Sequence, residues 1–554
     1  MKPPQHNTVG DIFRTRRTDA LIALHFEEQH WSGAELFDEC STRAAYLLAQ
    51  HPGGVFHVGV LLDNTPEHVF WIGACALAGA ILVELNSTRR GTDLARDVRH
   101  TDCAFLVTER RHREQVDADV AERLGDRLLT VDDERFATTL RPFRDAPLQP
   151  ATVAPNAVFC LIFTSGTSGA PKAVIYSHAR VLRNSVMLVE RQHMSADDVS
   201  YVPMPLFHSS AMLMGLLPPL ISGGAAALRR HFSASGFLPD VRRYGVTMFC
   251  YVGKPLAYIL ATPEQPDDAD NSLRAAFGNE ASEADITTFS RRFACTVTDN
   301  FGSSEGCITV LRTPETPRGS MGIGVSPSIV VLNPDTGEEC PRARFDSEGV
   351  LMNGNEAIGE LVNLDGRELF EGYWNNPEAD GKRLRGRAYW SGDLAYRDEA
   401  GFFYFAGRDS EWLRVDGENL AAIQIEQVLA RHPLVSVAAV YGVPDPLVGD
   451  RVMATLQLLP GARFDPVEFE RFLDSQADFS SKWKPSFLRI APTLPLTATN
   501  KVLKRELRHE AWACADPVWY CAARTHGYRL LDESTRAALA PVLAARERPA
   551  PHRS

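Results

Sequence analysis

The stretch Phe163-Thr164-Ser165-Gly166-Thr167-Ser168-Gly169-Ala170-Pro171-Lys172 decides the reading of this chain. It follows an apolar run, Ala157-Val158-Phe159-Cys160-Leu161-Ile162, whose composition predicts a buried strand. Beyond it, Ser177-His178 opens a segment reaching to about His193 with apolar residues at helical spacing. Small hydroxyl residues and glycines between strand and helix place backbone N–H groups and side-chain hydroxyls on one short loop. Many short donors can then close on a single polyanion. Lys172 adds a point charge, and Gly166 and Gly169 let the backbone come close to a ligand. The loop reads as a grip for the phosphates of ATP. It is not the G-x-x-x-x-G-K-[ST] loop, whose second glycine would fall at Pro171 and whose hydroxyl would fall at Ala173.

With 554 residues, the chain exceeds what one hydrophobic core usually fills, so at least two domains are expected. Apolar content of 44% and charged content of 23% describe an ordinary globular protein. A formal net charge of −12 argues against general nucleic-acid binding. The ten cysteines are scattered with no C-x-x-C pair, which predicts reduced thiols, a cytoplasmic setting and no zinc site. The N-terminus lacks an apolar signal core. Two long apolar stretches, residues 69–85 and 211–228, are interrupted by Gly, Glu or Pro and read as buried core helices, not membrane spans. A peripheral association with membranes stays open.

Along residues 20–134, strand-like runs at 21–26, 58–62 and 104–107 alternate with helical patterns at 33–48 and 67–77. That alternation predicts layered α/β structure. Residues 141–153 are Pro-rich and polar, as a linker would be. Further strands are expected at 246–252 and 273–280, the latter ending in a Gly278-Asn279 turn.

The loop resembles the T-S-G-T-[ST]-G-x-P-K-G run of the adenylate-forming superfamily, which includes acyl- and aryl-CoA synthetases, peptide-synthetase adenylation domains and luciferases. Only the final glycine departs, as Ala173. Later segments strengthen the resemblance. Pro203-Met204-Pro205-Leu206-Phe207-His208 resembles the segment lying beside the organic carboxylate, which implicates His208 in positioning it. Gly278 and Asn279 would approach adenine. Asp299-Asn300-Phe301-Gly302-Ser303-Ser304-Glu305 is similar to Y-G-[ST]-T-E: Phe301 would stack on adenine beside Gly302, Ser304 would meet the α-phosphate, and Glu305 would bind Mg²⁺. Asp393 of Trp390-Ser391-Gly392-Asp393 would accept the ribose hydroxyls, with Arg408 nearby. Gly417-Glu418-Asn419 resembles the loop lining the pantetheine path. Lys501, in Thr497-Ala498-Thr499-Asn500-Lys501, occupies the place of the catalytic lysine, with Asn500 for the usual glycine.

The resemblance implies a large multi-subdomain N-terminal α/β domain over residues 1–408 that binds ATP and the acyl substrate. A small mobile α+β C-terminal domain over 409–510 and a tail over 511–554 would follow. Ser410 stands at the expected hinge, where Lys or Asp is usual. Tyr258-Ile259-Leu260-Ala261-Thr262-Pro263, the Gly417-Glu418-Asn419 loop and the segment 516–531 resemble the fatty-acid transport protein and very-long-chain acyl-CoA synthetase branch. The implied activity is ATP-dependent ligation of a long fatty acid to coenzyme A through an acyl-adenylate. Other readings are a ligase for aryl or carnitine-like acids, an acyl-AMP ligase loading a carrier protein, a luciferase-like second step, and a non-catalytic fatty-acid-binding protein.

Overall fold

In a computed structural model the chain forms a large α/β body followed by a smaller α+β body. The structure describes residues 6–51, 53–148, 151–164, 171–347, 351–408, 412–415, 418–445, 449–476, 479, 483–497, 502–521 and 527–544.

Two largely parallel sheets organise the large body. One has six strands in the spatial order Leu128–Thr130, Cys103–Thr108, His57–Leu61, Ile81–Glu84, Val158–Thr164 and Lys172–Ser177, with only the last pair antiparallel. The other has nine strands. Its parallel centre is Thr296–Gly302, Ala275–Asn279, Met248–Val252, Val199–Val202, Ala225–Leu228 and Ile22–Phe26. Parallel sheets need cover on both faces. Strands such as His57–Leu61 and Met248–Val252 are accordingly buried at every position. The helix Gly33–Gln50 starts where the sequence says it should. Ser32 Oγ accepts the Glu35 N–H at 3.2 Å, and Glu35 Oε2 accepts the Ser32 N–H at 2.8 Å.

The two apolar stretches are not single core helices. Residues 69–85 divide into the helix Pro66–Ala78, a left-handed Gly79 (φ 68°) and the strand Ile81–Glu84. Residues 211–228 divide into a π-helical turn Ala211–Leu216, the helix Leu217–Ser222, a left-handed Gly223 (φ 89°) and the strand Ala225–Leu228. In each case a glycine in the left-handed region ends the helix, and the remaining apolar residues supply a central strand. No helix among the described residues is long and apolar enough to cross a membrane.

The phosphate-loop segment also differs from its expected setting. Val158–Thr164 and Lys172–Ser177 pair antiparallel, with Thr164 opposite Lys172. The segment therefore joins two strands of a hairpin. The helix His178–Arg191 begins only afterwards, capped by Ser177 Oγ on the Arg180 N–H at 3.1 Å.

A third, antiparallel sheet of Ile329–Leu332, Gly359–Asn363, Leu384–Arg385, Ala388–Arg397 and Phe403–Arg408 completes the large body. The next strand, Trp412–Val415, belongs to the seven-stranded sheet of the small body. Val518–Tyr520 and Arg529–Leu530, from the segment after residue 510, extend that same sheet. Trp512, Val518 and Leu531 share its core with Val437, Met453 and Phe487. None of the ten cysteines is in a disulfide, and nine are buried.

Candidate active site

One cleft of about 1870 Å³ gathers most of the described candidates. Thr164, Lys172, His208, Asn279, Phe301, Gly302, Ser304, Glu305 and Asp393 all line it. The small body contributes as well, through Gln424, Gln427, Thr497, Val502 and Lys504. A typical small-molecule pocket is about 300–1,000 Å³, so this cleft has room for more than one ligand. Ser165, Gly166, Thr167, Ser168, Gly169, Gly417 and Lys501 lie outside the described residues, as do Ser410 and Asn500. Thr497 and Val502, on either side of Lys501 in sequence, border the cleft.

At the hairpin end, Lys172 Nζ sits 5.0 Å from the centre of the Tyr373 ring. Burial lowers the Lys172 pKa, and the Arg383 guanidinium adds to the effect. The Tyr373 hydroxyl donates to Glu305 Oε1 at 2.7 Å. Burial, then the Glu305 charge, raises the Tyr373 phenol, so it stays protonated and donating. Glu305 itself is buried. Its chain direction is fixed one residue earlier, where the Ser304 carbonyl accepts hydrogen bonds from the Tyr176 hydroxyl and Arg180 Nη2. Arg180 is almost wholly enclosed and stacks on Tyr176 at 4.0 Å. Gly306 (φ 68°) turns the chain past it, and a Cβ there would lie 2.9 Å from Arg180 Nη2. Tyr176, Arg180 and Tyr373 lie 128, 124 and 68 residues from the partners that give them meaning, so no local spacing marks them.

The neighbouring wall holds unsatisfied polar groups. Both amide atoms of Asn300 and the Ser303 hydroxyl are buried without a partner among the described residues, and both residues line the cleft. Each such orphan costs about 1–3 kcal/mol unless a ligand meets it. An amide's paired donor and acceptor match the N6/N7 edge of adenine. A nucleotide therefore fits this wall, with Phe301 alongside at 5.6 Å from Phe405. Asn279 Nδ2 donates to the Asn300 carbonyl at 2.7 Å, which fixes Asn300 from behind.

Gly278 is placed differently from the expected turn. It lies inside the strand Ala275–Asn279, opposite Tyr251 and Asp299. A Cβ there would come within 2.3 Å of the Tyr251 carbonyl oxygen, so strand packing alone demands glycine. His208 lines the cleft beside Phe207, and its carbonyl accepts the Met212 N–H at 3.2 Å. Its backbone thus starts the following helical stretch while the residue borders the cavity. Asp393 is buried, its N–H donating to Ser391 Oγ at 3.0 Å, and its strand position faces Arg408.

A second cluster, Asp63, Glu109 and His112, has the composition of a metal site. Arg111 reaches Asp63 at 2.6 Å and Arg230 reaches Glu109 at 2.6 Å, so cations already occupy the carboxylates. It is an ion-pair network joining the ends of both parallel sheets.

Comparison with known proteins accords with this geometry. The AMP-binding enzyme family matches residues 13–374, and the AMP-binding enzyme C-terminal domain matches residues 424–501. Steroid-22-oyl-CoA synthetase from Rhodococcus jostii is 43% identical over 540 residues, covering 97% of each chain. The medium/long-chain-fatty-acid–CoA ligase FadD17 of Mycobacterium tuberculosis is 46% identical over 517 residues, covering 93% of this chain and 99% of its own. In fold, the chain resembles the anthranilate CoA ligase AuaEII bound to anthranoyl-AMP, with a TM-score of 0.80, 21% identity, and coverage of 91% of this chain and 97% of that one.

Proposed function

The chain belongs to the AMP-binding enzyme family, and from that premise we propose that it activates an apolar carboxylic acid with ATP and passes the acyl group to coenzyme A. A free carboxylate resists a thiol because oxide is a poor leaving group. Attack of the carboxylate oxygen on the α-phosphorus forms a P–O bond while the bond to pyrophosphate breaks. The thiol sulfur then bonds to the acyl carbon, and AMP leaves with the electron pair of the C–O bond.

Lys172, Thr164 and the sequence from Ser165 to Gly169 would hold the phosphates. Asn300 and Phe301 would read adenine, and Asp393 with Arg408 would hold the ribose. Lys501 would bridge the acid and the α-phosphate as charge develops. His208 would position the acid's carboxylate, and Gly417 would border the path of the thiol. Glu305 offers the hard oxygen that suits Mg²⁺, which supplies charge neutralisation at the phosphates when bound. The observation that carries the reading is convergence: buried polar orphans at Asn300 and Ser303, a cation at Lys172 and a carboxylate at Glu305 share one cleft.

The acid we propose is a medium- or long-chain fatty acid, supported by the likeness to FadD17. A steroid side-chain acid is the second reading, favoured by the 43% identity to the Rhodococcus enzyme. AMP release should be measured with acetate, fatty acids of rising length, a steroid side-chain acid, benzoate and carnitine, each with and without coenzyme A. Coenzyme-A-dependent release that peaks on long or polycyclic acids is expected. Adenylate without thioester would transfer the acceptor role to a carrier protein, and silence across the panel would overturn the reading.

A further inference from the structure

Away from the phosphates, one wall of the cleft is a face of the helix His178–Arg191. Arg180, Asn184, Met187, Leu188 and Arg191 border the cavity, at positions i, i+4, i+7, i+8 and i+11 of one helical stripe. At about 1.5 Å of rise per residue, the stripe runs about 16 Å from Arg180 to Arg191. Its upper end is at the reaction centre, where Arg180 holds the Ser304 carbonyl. Its lower end is at the N-terminal end of an interior strand of the nine-stranded sheet. There the Gln192 carbonyl accepts from Arg274 Nη1 at 2.8 Å, and Arg274 immediately precedes the strand Ala275–Asn279. Met187, Leu188, Leu213, Met214 and Phe277 make the cavity lining apolar between those ends.

Arg191 is half-buried at the far end of this lane, and no carboxylate pairs with it among the described residues. A guanidinium stays charged in any protein setting. A cation suits a helix C-terminus in general, but that preference does not require it to border a substrate cavity. A plain methyl end of an acyl chain would set hydrocarbon against this partly desolvated charge. An oxygen acceptor there would meet it instead.

Resting on the ligase reading, we propose that Arg191 is a specificity residue selecting acids that carry an acceptor oxygen, as carboxylate or carbonyl, at the end remote from the reacting carboxyl. The substrate class is thus an extended apolar acid that is oxygenated distally.

The test compares kcat/KM for saturated acids of several lengths with their ω-carboxy and ω-oxo analogues, in wild type, Arg191→Met and Arg191→Lys. A hydrogen bond to a charged group corresponds to a preference of about tenfold or more. The oxygenated acid is expected to win by that factor at the length spanning the lane, mainly through KM. Arg191→Met should cut the preference at least tenfold, and Arg191→Lys should keep part of it. A ratio taken within one preparation is independent of how much protein is folded. Titration calorimetry of the same acids separates the two claims. Arg191-dependent binding without turnover overturns the ligase reading alone. Turnover whose acid preference ignores Arg191 overturns this proposal alone. Neither turnover nor Arg191-dependent binding overturns both.

Discussion

The Tyr373 hydroxyl donates to Glu305 Oε1 at 2.7 Å, and the face of the same ring lies 5.0 Å from Lys172 Nζ. One phenol thereby spaces the cation of the phosphate hairpin from the carboxylate proposed for Mg²⁺. It also uses one Glu305 lone pair, which directs the others elsewhere.

Replacing Tyr373 with Phe should leave the fold intact and free Glu305 to rotate. Loss of one hydrogen bond to a charged group is worth about 1.5–3 kcal/mol. We expect a roughly ten- to hundredfold fall in kcat/KM for ATP and a shift of the Mg²⁺ titration to higher concentration. Unchanged Mg²⁺ dependence would remove Tyr373 from this role.

Lys501→Ala should abolish acid-dependent pyrophosphate release while conversion of supplied acyl-adenylate and coenzyme A continues. Its proposed charge acts only while the carboxylate attacks phosphorus, so the loss should be about a hundredfold or more in the first half-reaction. Equal loss in both halves would contradict the assignment.

Gly278→Ala tests the strand explanation for that glycine. The added Cβ meets the Tyr251 carbonyl, which belongs to the paired strand and cannot rotate aside. Overpacking of this kind costs about 1–3 kcal/mol. Urea unfolding should show that loss, together with a raised KM for ATP because Asn279 and Asn300 shift with the strand. A variant of native stability would return the glycine's role to ligand approach.

His68 Nε2 lies 2.9 Å from Glu84 Oε2, with both side chains fully buried. Burial opposes the imidazolium, but the Glu84 carboxylate outweighs it and raises His68 above its ordinary 6.5. A raised folded value means the pair's stabilisation is complete below about pH 6.5 and is lost as pH rises through the folded value. Denaturant unfolding at rising pH should show a decline that the double variant His68→Gln/Glu84→Gln lacks. Parallel curves for the two proteins would refute the coupling.

The family was legible because the segments that carry the resemblance, around Thr164–Lys172, Glu305 and Asp393, are each short and local. The setting of the loop was not. Ser177-His178 reads as a helix start, and nothing nearby reveals that Lys172–Ser177 first pairs with Val158–Thr164. That pairing also explains the departure at Ala173. The residue sits on the strand ladder opposite Phe163, fully buried, where a small side chain fits. Gly79 and Gly223 were visible signals that the long apolar stretches change from helix to strand, but hydrophobicity alone does not distinguish the two. Asn300 lies within the segment Asp299–Glu305, yet its residue type alone marks no role. Its meaning depends on burial and on its side chain having no protein partner among the described residues, which no spacing records.

The hairpin has a further consequence. The helix His178–Arg191 continues directly from the strand Lys172–Ser177, so the wall proposed for the acid hangs from the end of the hairpin strand remote from Thr164. Changes at Asn184, Met187 or Leu188 can reshape the berth for the acid while the Thr164–Lys172 pair stays in register. On the ligase reading, the face between Asn184 and Leu188 can be varied without moving Arg180, whose hold on the Ser304 carbonyl sets the chain at Glu305.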